Sequence, residues 1–581
     1  MAVIRGEQWS VTWSPQYRDD GVGFSTVEYS DRVVNANWLT WPFGIFAGAN
    51  LPDPVFDFQK HWAFGDLSER NYYIAYKGKA ALGGGIGDIL MLSGTTMRIP
   101  FGPCATTAPT ADTLSASTLS AAANMWDATI YITAGTWNIG DVVLIGGTEF
   151  GSPIDEVACI RSLGPVIVYD HIEFGNGNAN NISTATKLTG VTSGAQITLV
   201  YATNSEAHGV VSVATFIAGE TVSADVGGFS AVVTRINGGL RFGHAIGSIV
   251  QEMTDGSRDS QLKAGALSVL AKTAASWTSL DYMCIGYGTK YAEIRQITKS
   301  SSLMSWTQPL SYDHGHYGIL QKVTVAGGVF THTIRESREL PTIQIAADYT
   351  DVQGVAALQR RYIGVKCNRG SYRATEGDVL RMSLDDLQAR TMRFRDLDQS
   401  TVVTPWYSAN IVKPVVSFPT TEPYYFSGGH LVLDGSIIAR LRDFNLEVSN
   451  GLEPKYYLQD ANSEGYVPYE IREAKREYRC GITVDVDANE RNIFSDLCKM
   501  GVYTATFKGF KIVLTFTRGS VNDTITFTLG PDTPAAGGDA QGCLIKTAPH
   551  GIMDQPLVSV PLDIDVRKAK IVIVDSVMIY P

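Results

Sequence analysis

The sequence predicts a mainly β protein. Apolar residues recur at every second position in short segments, as in Leu380, Met382 and Leu384, in Ile482, Val484 and Val486, and in Ile512, Leu514 and Phe516. That period is the one a strand shows when a single face is buried. Glycine is abundant, at 57 of 581 residues, and Thr, Ser, Val and Tyr are frequent. Such a mixture favours strands and turns over helices. One segment alone is well signalled as a helix.

The elements follow in chain order. A polar, aromatic-rich arm precedes the apolar run Trp38–Phe46, and Leu51-Pro-Asp-Pro54 is a loop, because Pro52 and Pro54 block ladder and helix alike. Alternating segments near Tyr72–Tyr76 and Asp88–Leu92 end at Arg98-Ile-Pro-Phe-Gly102. Residues 105–125 are nearly all Ala, Thr, Ser and Leu and read as a linker. An internal repeat follows. Trp137 with Asp141 and Ile145-Gly146 matches Trp277 with Asp281 and Ile285-Gly286, at a constant offset of 140. Glu156 and Ile160 match Glu293 and Ile297, and Tyr169-Asp-His171 matches Tyr312-Asp-His314. This predicts two related β modules, about 126–175 and 266–322, around a third β unit at about 190–240. Strand patterns resume at Val329–Ile334, Leu340–Ile345, Arg361–Lys366 and Leu380–Leu384, and the three prolines of 412–423 mark a linker. Beyond it, Leu441, Phe444, Leu446 and Val448 share one face of a strand. Asp487-Ala-Asn-Glu490 is a capping box, followed by Ile493, Phe494, Leu497 and Met500 at helical spacing and a Gly501 stop. It predicts one amphipathic helix over about 488–500. Residues 511–517, 524–529 and 562–566 alternate strictly, and Ile571-Val-Ile-Val574 is apolar on both faces, which predicts cover on both.

Composition narrows the function classes. The net charge is −11, which argues against a general nucleic-acid binder. It does not argue against a conduit that DNA passes without sticking. The seven scattered cysteines contain no Cys-x-x-Cys and read as free buried thiols of a reducing compartment. The first residues lack the apolar core of a signal peptide, and no run of about 18 apolar residues predicts a membrane helix.

Residues 425–487 point furthest. They contain Tyr425-Phe-Ser-Gly-Gly-His-Leu-Val-Leu-Asp-Gly435, Leu441-Arg-Asp-Phe-Asn-Leu-Glu-Val-Ser-Asn-Gly-Leu-Glu-Pro454 and Arg476-Glu-Tyr-Arg-Cys-Gly-Ile-Thr-Val-Asp-Val-Asp487. This stretch resembles the C-terminal barrel of the two-barrel tail tube proteins of long-tailed, siphovirus-like bacteriophages. Val329-Phe-Thr-His-Thr-Ile334 and Leu340-Pro-Thr-Ile-Gln-Ile345 resemble that family's earlier strands. The resemblance covers roughly 26–102 and 325–581. It implies one tail-tube-type barrel or sandwich from 1–102 plus 325–410, split by inserted all-β modules at 103–324, and a second from 424–581. It further implies a structural virion protein, the major tail tube subunit. Such a subunit assembles with itself into stacked rings, three subunits each with pseudo-sixfold symmetry, or six subunits of one combined barrel each. Tape measure, terminator and distal tail proteins are the implied further partners, with double-stranded DNA passing unbound, assembly in the host cytoplasm, and no membrane or cofactor. The wall of such a channel is expected to be negative or neutral, with Lys511 and Arg518 as the cations to test. The loops near 52–70 and 454–472 are the candidates to bridge subunits, with Trp62, Phe64, Leu452, Tyr456 and Tyr457 as apolar anchors.

Other readings stand beside this one. A distal tail or baseplate protein uses similar barrels, and a tail-associated protein that binds or cuts polysaccharide is the alternative from another class. Carboxylates such as Asp434, Glu447 and Asp485 come from separate strands and turns, where solvated polar faces explain them. Gly83-Gly-Gly-Ile-Gly87 lacks phosphate-loop spacing and reads as a flexible hairpin. Asp313-His-Gly-His316 is the one tight histidine pair, and the matching repeat lacks its second histidine, so a structural turn is expected rather than a metal site. Exposed aromatics of the inserted region would suit sugar stacking, whereas Trp137 and Trp277, being equivalent, read as core. No catalytic, cofactor or metal residue is assigned.

Overall fold

The computed structural model describes residues 4–580, apart from 16–40, 62–73, 397–420, 457–467, 487–509, 531–541, 548–557 and shorter stretches, most of them between 109 and 318. The expected helix at 488–500 lies outside the described residues. Two antiparallel sheets carry the fold. The larger has thirteen strands, running Trp41–Pro42, Ile4–Pro15, Ile343–Asp351, Ala356–Thr375, Leu441–Ser449, Glu477–Val486, Val558–Val566, Leu544–Thr547. Gly48–Asn50, Pro54–His61, Ile74–Leu90, Arg381–Gln388 and Thr391–Asp396 join it off that path. The smaller has seven, in the order Ser436–Ile438, Gly429–Leu433, Ile512–Arg518, Ser520–Leu529, Ala569–Asp575, Phe330–Arg335, Cys104–Thr107.

Period-two alternation explains how the sheets meet. Tyr372, Phe444, Leu446, Ile482 and Ile564 point inward from the large sheet, and Leu514, Phe516, Phe527 and Ile571 from the small one, into a single core. Ring centroids lie 5.3 Å apart for Phe444 and Phe527 and 5.4 Å for Tyr372 and Phe527. The Tyr372 hydroxyl donates to the Met97 carbonyl at 2.8 Å, so its burial strands no polar atom. In the last strand Ile571 and Ile573 are buried, while Val572 and Val574 are half-buried.

The strands do not sort by the boundary expected at 412–423. Arg369–Thr375, from the first half, pairs residue by residue with Asp443–Ser449 from the second. Phe330–Arg335 pairs with Lys570–Asp575 and carries Cys104–Thr107 on its other edge. Both halves thus feed both sheets and one core, because each leaves apolar faces and unpaired edges that the other covers. The glycine run also departs from expectation. Gly83–Gly87 lies within the strand Ile74–Leu90, not in a hairpin turn. A Cβ on Gly84 would fall 2.2 Å from the Asn50 carbonyl oxygen, so glycine there admits the neighbouring strand.

Residues 110–324 fold as smaller units. The first repeat lies in a six-stranded sheet, and Lys187–Gly190 to Ser230–Asn237, with Asp170–Phe174, close a six-stranded barrel around its own core. Asp170–Phe174 therefore belongs to the barrel and not to the first repeat. The two repeat hairpins share one register: Ile145 opposes Glu156 in the first, and Ile285 opposes Glu293 in the second. The third strands match as well, with Leu144 opposite Gln251 and Cys284 opposite Gln321. In the first unit that third strand, Ile249–Glu252, follows the barrel in sequence, so the barrel is an insertion within the unit. The histidines do not match, since His171 is on a barrel strand and His314 is in a loop. Trp277 is fully buried in its unit, as expected, and Trp137 lies outside the described residues.

Candidate functional site

The face of the large sheet turned away from the core is charged, and it is the most distinctive surface of the molecule. Inward alternation forces it: wherever Tyr372, Leu446 and Cys480 point in, Ser371, Glu447 and Arg479 point out. In one row across the strands Ser371, Glu447, Arg479 and Asp565 stand side by side, and in the next Arg373, Asn445, Gly481 and Asp563. The arginines are matched to carboxylates. Arg373 pairs with Asp88, Arg369 lies 3.9 Å from Glu447, and Arg381 lies 3.0 Å from Asp378. Side-chain bonds with Arg381 and the Val379 backbone hold the Asp378 carboxyl below its usual range. Arg479 has Glu447 on one neighbouring strand and Asp565 on the other. A cleft of about 440 Å³ on this face is lined by the cations Lys475, Arg476, Arg479, Lys546 and Arg567 and by the carboxylates Glu477, Asp563 and Asp565. Both signs meet there, which makes it a mixed-charge wall.

The outer face of the small sheet differs. Thr515, Thr526, Val572 and Thr333 form one row, with Thr515 and Thr526 hydroxyls 3.1 Å apart. Arg518, expected on a channel wall, is instead a structural clamp. Its guanidinium bonds Asp523 at 2.8 Å and the Leu92 and Glu422 carbonyls, and sits 4.5 Å over the Tyr424 ring.

A second feature is a two-stranded arm, Leu452–Lys455 with Glu470–Glu473, that leaves the large sheet between Ser449 and Glu477. Gly451 makes the kink with a φ of +57°. Of the anchors read from sequence, Trp62, Phe64 and Tyr457 lie outside the described residues. Leu452 is buried against Leu340 and Ile471 of its own chain, at the arm's root. Tyr456 is half-buried, and burial raises the pKa of its hydroxyl. Sequence reading missed the polar groups at the root. Asn450 donates to the Pro100 and Cys367 carbonyls, both at 2.9 Å, and Lys366 reaches Glu473 at 2.7 Å. A lysine within an apolar strand pattern was the one signal available.

The third feature joins the second repeat unit to the sandwich. Glu293 accepts from Arg295 at 2.6 Å, from the Ser311 and Tyr312 amides, and bonds His314 at 3.1 Å. Burial opposes its charge, but Arg295 and His314 outweigh that and hold its pKa at about 2. The Tyr312 hydroxyl accepts from Arg98 at 2.6 Å and from the Cys104 amide at 2.8 Å. Cys284, Ala292 and Ile294 of the unit pack with Ala105 and Phe330 of the small sheet. His314 is thereby committed to Glu293, and Asp313 and His316 lie outside the described residues. Among the described residues no three His, Cys, Asp or Glu side chains are grouped to hold a metal. Glu447 and Asp485 each face a guanidinium, Asp485 at 2.7 Å from Arg442, and Asp434 lies outside the described residues.

Comparison with known proteins agrees with this architecture. The family model described as phage tail tube protein matches residues 247–543. No curated protein matches the chain.

Proposed function

Because this chain belongs to the phage tail tube protein family, and is thus a structural component of the virion tail, we propose that it is the major tube subunit, whose rings stack around the channel through which DNA is ejected. The observation that carries this reading is the open face of the large sheet. It offers charged and polar side chains across many strands, with carboxylates beside its arginines. Such a face suits a water-filled bore better than a packed interface, whose centre is depleted of charge. DNA passing it would meet arginines that stand beside carboxylates, which would weaken its hold on the face.

Assembly follows from the edges. Among the described residues Leu544–Thr547 ends the large sheet and Ser436–Ile438 the small one, and an edge strand of this kind can pair with a neighbouring copy. Head-to-tail contacts that close around an axis make rings, and those that do not close along it make a filament. The arm at Leu452–Lys455 and Glu470–Glu473 is the contact we assign to a neighbouring copy. Other tail proteins would cap the tube, and assembly would take place in the host cytoplasm. The inserted units between 110 and 324 would project from the outer wall. Negative-stain electron microscopy of the purified protein tests the proposal. Rings with an open centre, or tubes of constant width, are expected. A monomer at every concentration and salt tried would overturn it.

A further inference from the structure

The arm is rooted by a buried cation. Lys366 belongs to the long strand Ala356–Thr375, where its neighbours Val365 and Cys367 are core residues. Its side chain is 2% exposed. The ammonium donates to the Ile471 carbonyl at 2.9 Å and to Glu473 at 2.7 Å, both on the arm's return strand. Glu473 also accepts from the Leu340 amide at 3.0 Å. On the outgoing strand the Leu452 amide donates to the Asn368 side chain at 2.7 Å, and Asn450 is held by Arg476 at 2.6 Å. Both strands of the arm are therefore tied to the sheet by polar bonds inside a small apolar cluster of Leu340, Leu452 and Ile471.

A surface hairpin of four paired rungs has no need of a buried lysine for stability, since an apolar residue of similar length avoids the cost of desolvating a charge. What the ion pair adds is direction. A hydrophobic contact tolerates sliding and rotation, whereas an ammonium bonded at once to a carbonyl and a carboxylate two residues apart ties that strand to one place on the sheet. We infer that Lys366 is a positioning residue, which sets the angle at which the arm leaves the sheet so that it meets a second copy of this chain already ordered. Ordering the arm beforehand removes an entropy cost from each assembly step. The inference rests on the tube reading for the identity of the partner.

Lys366→Met removes the charge and keeps the stem, and Glu473→Gln keeps an acceptor and removes the other charge. Three measurements are compared with the unaltered protein: melting of the sandwich, chymotryptic cleavage after Tyr456, and the concentration at which assemblies appear by sedimentation and microscopy. Expected for both variants is a melting midpoint lowered by several degrees, because each leaves one buried charge uncompensated, and, well below that midpoint, faster cleavage and an assembly concentration raised about tenfold, which corresponds to ordering one or two side chains on contact. Lys366→Arg, which retains charge and donors, should recover part of the loss. Unchanged cleavage and unchanged assembly in Lys366→Met would overturn the inference. A parent protein that never assembles would sink the tube reading instead. Cleavage after Tyr456 would still decide whether Lys366 holds the arm.

Discussion

Glu293 shows how much one side chain can carry at a joint. It neutralises Arg295, meets His314 and receives the Ser311 and Tyr312 amides, all out of water. Removing one partner of a buried pair leaves the other charge uncompensated, at roughly 3–5 kcal/mol. Glu293→Gln should therefore lower the melting temperature by several degrees. The pH dependence has a definite sign. The folded-state pKa of about 2 lies below the ordinary glutamate value of 4.5, so the stabilisation is present above pH 4.5. It is lost as pH falls from 4.5 through 2. Denaturant titrations at stepped pH should show a loss in that window that Glu293→Gln lacks. Glycines give a second contrast. Gly84→Ala would drive a Cβ into the Asn50 carbonyl and should destabilise, whereas Gly87 has nothing within 4 Å of that position. Gly87→Ala should be neutral or stabilising by about 0.4–1 kcal/mol through the unfolded chain, as thermal melts of the two variants would report. Both roles were only half legible in the sequence. The repeat picked out Glu293, but its ligands lie at 295, 311, 312 and 314, and no local pattern links them. The glycine run was visible, but which strand presses against it depends on tertiary pairing.

Elements were easier to read than their partners. The alternating runs at 380–384, 441–448, 512–516, 525–529 and 562–566 are strands with the expected residues inward, because period two is a local property of a half-buried strand. The barrel insertion was not legible. Its strand Asp170–Phe174 follows a repeat match closely enough to look like part of it, and nothing local shows that Ile249–Glu252 returns to complete the first unit. The structure makes a deletion test sharper. His171 opposes Asn237 across the barrel, so its entry and exit lie on adjacent strands, about 5 Å apart. Excising 170–237 behind a short Gly/Ser linker should leave a folded protein with the parent's sandwich melting transition. Excising 106–322 should not, because it strips Tyr312 from Arg98 and uncovers Ala105 and Phe330. The family match, which begins at 247, also takes in this second unit. Soluble yield and calorimetry of the two deletions would separate these outcomes.

At the scale of the whole molecule, the sequence made the family and the β class legible, while the boundary between halves was not, since sheet order is set by pairings hundreds of residues apart. Net charge was legible too, but not its placement. The cations singled out by sequence position, Lys511 and Arg518, belong to the small sheet's side, and the matched charges sit on the other. Asp563→Lys with Asp565→Lys would turn part of the open face basic without touching the core, since both side chains are exposed. Assemblies of this variant should retain double-stranded DNA with an affinity that falls steeply with salt, while the parent retains little. Equal retention by both would place this face away from the DNA.

The position of Ala569–Asp575 has a consequence in time. This strand comes last in sequence among the described strands, yet it lies in the interior of the small sheet, between Ser520–Leu529 and Phe330–Arg335. At about 5–20 residues per second, the roughly 230 residues between Arg335 and Ala569 take about 10 to 50 s to make. Over that interval Cys104–Thr107 and Phe330–Arg335 wait without the neighbour that ties them to the rest of their sheet. The barrel at 170–237, closed by local hairpins, can finish while the ribosome is still at work, whereas the sandwich cannot close until Ala569–Asp575 has been made. A copy in synthesis therefore has no finished sandwich to offer a neighbour until that strand is in place.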